Sequence, residues 1–464
     1  MGGSPRIGVI GAGPGGLSLA RILTERGHAD VTVLERAPRV GGKSLTLHVD
    51  GVGHEMGTCY TATGYTVARR WMKEAGIGEH ILDRHAFRTR AGAWVDFKDY
   101  VLGDDGRLGA GLQIARYVKD WARFHQWDLA GAPDEGEGSS GAPMREEVAA
   151  PFRDWLRARG LDVIERFALR TMTVMGYGAL DRVPALYGLR WNVPSLLLAG
   201  VANDVGEPNP GWQHLWQHLA ARLDVRLDTR VVRAAWGDGG IAVTTDRGDF
   251  TFDHLVLSGP LDEAAGFVEL PEPWLGTEFT WREYVTTLAH VEGWFRDGDT
   301  RSFEANAWDA AAVARSRLLV ARRTADKSDV ARARSDTRRD LYVCYQSGGA
   351  HHSLEALQAL LREDIEAEGA TLREVIQTCR WRYAPQLSTT DIAAGAVSRF
   401  ERLQGRDGLW ITGASASHEA VDNIVDYNQR LADRMELAFA GEDPSSRTAF
   451  EVLAERYRWS SDDK

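Results

Sequence analysis

The sequence predicts an α/β fold in which a nucleotide-binding part returns along the chain in separate pieces. Two observations predict it. Residues 6–35 read as strand, glycine turn, helix and strand. Residues 212–260 revert to that style, with one helix and several short strands joined by turns such as GDGG and DRGD. The stretches between and beyond carry longer helical and strand patterns of a different character.

The first strand is the apolar run IGVIG, and GAGPGG follows it. Gly11, Gly13 and Gly16 take the spacing GxGxxG. Glycines there permit a tight turn, let backbone approach a pyrophosphate and let helix pack on strand, while the helix N-terminus favours the anion. LSLARILTERG has helical spacing and ends on Gly27 as a cap. VTVLE is a second strand that ends in Glu35, 24 residues after Gly11. A carboxylate there accepts hydrogen bonds from an adenosine ribose and disfavours the 2′-phosphate of NADP. In ERAPRVGGKSLT a second glycine pair, Gly41 and Gly42, precedes Lys43 and adds a turn and a cation beside the same pyrophosphate. Arg36 joins these candidate contacts.

Further along, GHEMGTCYTATGY (53–65) crowds Met56, Cys59, Tyr60 and Tyr65 between glycines. Residues 129–146, rich in Gly, Pro, Ser and acids, read as a surface loop. Helical patterns run through FRDWLRARGLDVIERFALRTMTVMGYG, and WQHLWQHLAARL opens the second nucleotide-style stretch. YVTTLAHVEGWF and LYVCYQ read as strands, and the arginine-rich 321–340 as a solvated helix or loop. SLEALQALLREDIEAEG is an amphipathic helix. GLWITG gives a last strand, EAVDNIVDYNQRLADRMELAFAG a last long helix, and SSDDK a frayed tail.

Composition narrows the function classes. A chain of 464 residues fits two domains of about 150–250. No apolar run approaches the roughly 18–20 residues of a membrane helix, and the N-terminus enters a strand without a signal segment, so a cytoplasmic protein is expected. A net charge of −11 disfavours nucleic acid and leaves a small molecule as the expected partner, with oligomeric state open. The three cysteines, Cys59, Cys344 and Cys379, show no CxxC spacing and make neither a disulfide framework nor a zinc site. His214 and His218 stand at i, i+4 without a third ligand and read as structural, so no metal is expected. His351 and His352 read as lying near a helix start, and His418 as a cap or solvent-facing residue, with proton carrier as the alternative. GASAS has the wrong spacing for a nucleophile elbow.

Taken with PGWQHLWQHLAARLDVRLDTRVVRAAWGDGGIAVTTDRGDFTFDHLVLSGP and GLWITGASASHEAVDNIVDYNQRLADRM, the glycine motifs make the sequence similar to the flavoprotein superfamily of amine oxidases. The resemblance implies a discontinuous Rossmann-type FAD-binding domain (1–90, 205–262 and 396–442), an interleaved mixed α+β substrate domain (91–204 and 263–395) and a C-terminal helix or tail (443–464). It implies Val231 backbone at adenine, Gly57 and Thr58 backbone against the flavin, Gly413 and Ala414 near the ribityl chain, and the N–H groups of Asp422, Asn423 and Ile424 near the pyrimidine. Cys59 then reads as a small residue in the pocket wall or a substrate contact. The family's covalent attachment uses a C-terminal cysteine, and none occurs in 380–464, so the FAD is expected to be non-covalent.

The sequence departs from the family pattern in three places. Lys43 replaces an arginine and loses its bidentate fork, and Ala414 replaces an acidic residue. WREYVTTLAHVEGWFR (281–296) holds no lysine to assist reaction with oxygen, the nearest being Lys327. FRDWLRARGLDVIERF, MGYGALDRVPALYGLRW and RWRYAPQLSTTDIAAGAVSRFERLQG resemble a branch containing polyunsaturated fatty-acid double-bond isomerases and indole-alkaloid oxidocyclases. The comparable stretch of amine oxidases forms an aromatic cage, which makes Tyr383 and Trp381 candidates, with Tyr177, Tyr187 and Trp191 from the helical segment. The expected function is an FAD-dependent oxidoreductase that removes hydride from a small, largely apolar substrate, with Tyr383, Trp381, Tyr177 and Cys59 as catalytic-site candidates. A redox-neutral isomerase or cyclase and a flavin-binding protein without turnover are the alternatives.

Overall fold

The computed structural model describes residues 4–82, 85–133, 144–202, 204–296, 300–323, 340–349 and 352–446, with 451, 453, 456 and 457. Most of the 129–146 loop, nearly all of the arginine-rich stretch with Lys327, His351 and the SSDDK tail lie outside the described residues.

Five short strands make a parallel sheet in the spatial order Asp224–Arg226, Val31–Leu34, Ile7–Ile10, His254–Leu257, Leu409–Ile411. The inner strands are apolar runs because helices cover both faces of such a sheet. Ile7, Val9, Val33, Leu255 and Val256 are all fully buried. Ile7–Ile10 pairs with Val31–Leu34 on one side and with the distant His254–Leu257 on the other. The strand order therefore reverses at the first strand, and a crevice opens beyond its carboxyl end, where Gly11 begins the turn. This is the Rossmann-type arrangement, built from three separate stretches of chain. An antiparallel sheet of Val231–Gly237, Gly240–Thr245 and Gly248–Phe252 completes this half.

The other half rests on a seven-stranded mixed sheet ordered Thr371–Gln386, Thr280–Glu292, Leu341–Gly348, Leu318–Arg323, Thr300–Phe303, His85–Arg88, Trp94–Asp96. Its two longest strands, of 16 and 13 residues, pair antiparallel with register shifts at three points. His85–Arg88 runs parallel to Thr300–Phe303 in this sheet. Helices flank the sheet. Gly106–Leu129 is the longest at 24 residues, and Leu354–Ala367 buries Leu357, Leu361 and Ile365 along one stripe, as its pattern predicts. Ser353 caps that helix by accepting a hydrogen bond from Ala356 N at 3.2 Å.

One buried side chain ties three pieces of the nucleotide-binding half together. Asn428, on the last helix Val421–Phe439, donates to Gly15 O (2.8 Å) and Ser18 Oγ (2.7 Å) and accepts from the Thr412 hydroxyl. It is fully buried, so its loss removes three buried hydrogen bonds, each contributing about 0.5–1.5 kcal/mol. Asn428→Ala is expected to lower the denaturation midpoint by several degrees in thermal melts, and an unchanged melt would show the tie to be dispensable.

Candidate functional site

The glycine turn creates a cradle by letting backbones approach where no side chain fits. A Cβ on Gly16 would stand 2.0 Å from Gly11 O, so this glycine sets how tightly the first helix packs on its strand. A Cβ on Gly42 would meet Gly13 Cα at 3.1 Å, and one on Gly15 would meet Gly413 Cα at 3.0 Å. The space in front of Gly13 itself is open, with only Gly42 Cα within 4 Å. Helix Pro14–Glu25 has no side-chain cap and carries proline at its start. Gly13, Pro14 and Gly15 line a cavity of about 1070 Å³, so the positive end of that helix faces it.

Glu35 lines the same cavity, its carboxylate held by Ala12 N and Ala37 N at 2.8 Å each. Val231, Gly413, Ala414 and Ile424 line it too. Helix Val421–Phe439 also lacks a side-chain cap, and Glu419, Ala420 and Val421 at its start face the cavity. The side chains of Asp422 and Asn423 turn away from the cavity: Asn423 Nδ2 donates to Arg190 O at 2.6 Å, and burial pushes the Asp422 carboxyl up to about 8.

Two cations expected to bind the cofactor, Arg36 and Lys43, are otherwise engaged. Arg36 faces the cavity but pairs with Glu263 at 2.8 Å. Lys43 turns toward the opposite half, where its Nζ lies 2.6 Å from Glu419 Oε2 and 5.5 Å from the ring centroids of Trp281 and Tyr383. The reason is electrostatic: Glu419 is nearly buried, and its carboxylate, which also accepts from Ala384 N at 3.0 Å, needs a counter-charge.

At its far end the cavity is aromatic. Tyr177 stacks on Tyr383 (5.3 Å between centroids), Tyr383 on Tyr284 (5.4 Å) and Tyr284 on Tyr345 (5.7 Å). Tyr177 OH donates to Glu419 O at 2.9 Å and Tyr284 OH to Val174 O at 2.8 Å. Tyr177, Trp191, Trp281, Tyr284 and Tyr383 line the cavity. Trp381 does not. Its Nε1 donates to Met56 O (2.7 Å), which also accepts from the Thr286 hydroxyl (2.6 Å), so the indole backs Gly57 from behind. Tyr187 lies outside the lining and accepts from Leu387 N at 2.8 Å.

Gly57, Thr58 and Cys59 form part of the wall. A Cβ on Gly57 would fall 1.8 Å from Lys43 O, which makes glycine obligatory there. Burial pushes the Cys59 thiol up to about 12, so it stays a neutral filler rather than a thiolate. His418 is buried among Tyr177, Tyr187 and Trp191 with Nε2 unpartnered, and burial followed by the Arg190 charge lowers it to about 3. It is therefore neither solvent-facing nor a proton carrier at neutral pH. His214 and His218 join no metal-holding group among the described residues.

Sequence reasoning did not single out Trp281, Tyr284 or Arg170. Trp281 and Tyr284 sit in a recognised strand, but a bulge between Thr280 and Arg282 breaks the alternation that would have shown which side chains share a face. The residues present fit a flavin dinucleotide. An open glycine cradle, an acid at Glu35 and two uncapped helix starts share one cavity with a stacked aromatic wall.

Comparisons with known proteins agree. Residues 14–368 match the family model described as flavin containing amine oxidoreductase. A polyenoic fatty acid isomerase of Ptilota filicina is 24% identical over 208 residues, 41% of each chain. The chain thus spans about two fifths of the curated relatives it matches. A fatty acid isomerase structure from P. acnes superposes with a TM-score of 0.77 at 21% identity, over 94% of this chain and 99% of that one. A putrescine oxidase structure gives 0.66 at 18% identity, over 93% and 99%.

Two outcomes follow from this geometry. Acid precipitation is expected to leave all flavin in the supernatant, and flavin retained by the pellet would show a covalent bond. For His418, the unfolded ring takes a proton near its ordinary 6.5 while the folded ring refuses one until about 3. Stability present above pH 6.5 is therefore lost as pH falls toward 3, by up to about 1.4 kcal/mol per pH unit. His418→Phe, which keeps a ring in the stack, should remove that share of the loss in urea titrations between pH 6 and 4. Equal pH slopes for the two proteins would refute it.

Proposed function

The chain belongs to the flavin-containing amine oxidoreductases, and from that premise we propose that it removes a hydride from a C–H bond of a small, largely apolar substrate. The observation that carries this reading is the single cavity in which a dinucleotide cradle opens onto stacked tyrosines. FAD, when bound, supplies the hydride acceptor. Gly11, Gly13, Gly16 and Gly42 would hold its pyrophosphate, Glu35 its ribose and Val231 its adenine. Gly57, Thr58, Gly413, Ala414 and the N–H groups of Asp422, Asn423 and Ile424 would hold the flavin end.

The chain's own contribution is to orient the substrate and exclude water. Tyr177, Tyr284 and Tyr383 present flat apolar faces, and burial holds all three phenols well above their usual range. They remain neutral and take no proton from the substrate. Lys43 and Glu419 neutralise each other beside Tyr383. The uncapped start of Val421–Phe439 favours negative charge that develops at its end of the cavity. This arrangement suits a reaction that moves a hydride and needs little acid–base chemistry.

A second reading, a redox-neutral isomerase in which the hydride returns to another carbon, is favoured by two observations. The strand Thr280–Glu292 carries no lysine, and relatives of similar fold and sequence are described as fatty acid isomerases. Anaerobic mixing of the flavin-loaded protein with apolar candidate substrates separates the readings. Lasting bleaching of the flavin band is expected for net oxidation, and product without lasting bleaching for isomerisation. Neither response to any apolar candidate would sink both. Tyr383→Ala loses two stacking partners at about 0.5–1.5 kcal/mol each. That loss lowers stability, and the gap left in the wall is expected to lower kcat/KM by up to about 100-fold through poorer positioning, with Tyr383→Phe close to wild type.

A further inference from the structure

The aromatic half of the cavity holds a buried cation with no counter-charge. Arg170 is 6% exposed and lines the cavity, yet it makes no hydrogen bond or ion pair among the described residues. Its nearest recorded partner is the Tyr60 ring, 5.9 Å from the guanidinium carbon. The other three arginines of comparable burial behave differently. Arg322 donates to Glu207 (2.6 Å), Tyr345 OH (3.1 Å) and Glu55 O (2.7 Å). Arg153 pairs with Glu165 at 2.9 Å and Arg434 with Glu401 at 2.8 Å. Leaving a guanidinium buried and unpaired is strongly unfavourable, so its retention calls for an explanation outside the folded chain.

Local structure adds a second observation. Arg170 stands on a π-turn, Leu169–Thr173, that continues the helix Asp162–Ala168. Such a turn inserts one residue into the helical register, re-aims the side chains it carries and recurs at functional sites. The titratable groups near Arg170 offer it no charge. Burial pushes Cys59, Tyr60 and Tyr284 up and keeps all three neutral. Glu55 accepts from Trp212 N and Thr46, Glu207 is held by Arg322, and Glu419 by Lys43.

We propose that Arg170 is the receptor for a carboxylate on the substrate, anchoring one end of an otherwise apolar molecule in the cavity. The inference rests on the cavity being the substrate site. One guanidinium balances one negative charge, and a carboxylate brings one, with two oxygens that match the guanidinium fork. A phosphate monoester brings close to two charges and would leave an excess among the buried residues of the wall, where the described residues hold no second unpaired cation, Lys98 of the lining being exposed. The phosphates of the cofactor are served by the glycine cradle in the other half of the molecule.

The test uses the flavin-loaded protein and unreactive saturated straight-chain carboxylates of rising length, each paired with its methyl ester. Calorimetry follows ligand binding and flavin absorbance follows the cofactor, so failure to hold FAD, which would defeat the proposed function, is distinguished from failure here. The carboxylates are expected to bind about 10- to 100-fold tighter than their esters. Arg170→Met should reduce that preference to within about twofold, and Arg170→Lys should keep part of it through charge alone. Unliganded Arg170→Met should melt at or above the wild-type temperature, because an uncompensated buried charge has gone. Equal binding of acid and ester, a preference that survives Arg170→Met, or an Arg170→Met protein that fails to fold or melts several degrees lower would each overturn the proposal.

Discussion

The cofactor end of the molecule depends on how closely three distant backbone segments approach one another. Gly13 meets Gly42, and Gly15 meets Gly413, at separations where a single added Cβ would fall 3.0–3.1 Å from backbone. Backbone cannot yield as a flexible side chain can. The crevice beyond the first strand therefore exists only while all three segments keep these contacts. The parallel order of the sheet brings the segments to the same edge, and Asn428 locks the last helix to the first turn. A dinucleotide cradle follows from packing, with no side chain dedicated to the phosphates.

The other half solves a different problem, which is to present a flat apolar wall without leaving polar groups stranded. Its four stacked tyrosines come from three strands and the turn that follows Leu169–Thr173, and two of them bond to backbone carbonyls, Tyr177 to Glu419 and Tyr284 to Val174. Each hydroxyl is thereby satisfied at the rim while the ring faces inward. Met56 O plays the matching part behind Gly57, collecting Thr286 and Trp381. The loop 53–65 is held in place from the substrate side, so movement of the two long strands would be felt at the loop that faces the flavin end.

What the sequence revealed tracks how local each physical requirement is. The tight turn at Gly11, Gly13 and Gly16 and the acid that ends the second strand, Glu35, are legible because they are fixed within 25 positions of chain. Lys43 was legible as a cation but its direction was not, because its partner Glu419 lies 376 positions away. Tyr383 is reached through family resemblance, whereas its stacking partner Tyr284 lies on the neighbouring long strand, a pairing that no local pattern announces. The same resemblance names Trp381 beside Tyr383, and strand alternation puts both residues on one face of Thr371–Gln386. Its indole instead bonds behind Gly57, so nearness along the chain did not become nearness to the cavity. Arg170 sat inside an ordinary helical pattern, FALRTMT, and nothing in that pattern signals a π-turn or a missing partner.

The two ends of the cavity also differ in how they treat charge, and the difference constrains what can react there. At the cradle, helix starts and backbone N–H groups supply partial positive charge that suits a dinucleotide. In the aromatic half, burial holds every nearby phenol and the Cys59 thiol neutral, refuses a proton to His418, and leaves Lys43 and Glu419 cancelling one another. A general base at neutral pH would need a group poised to exchange a proton, and none of these is. Arg170 is then the one buried, uncancelled charge lining that half among the described residues, and arginine neither gives nor takes a proton. A cation of that kind can fix where a substrate lies but cannot carry out its chemistry. On the proposed function, reactivity is left to the cofactor, and the chain decides which carbon is brought before it.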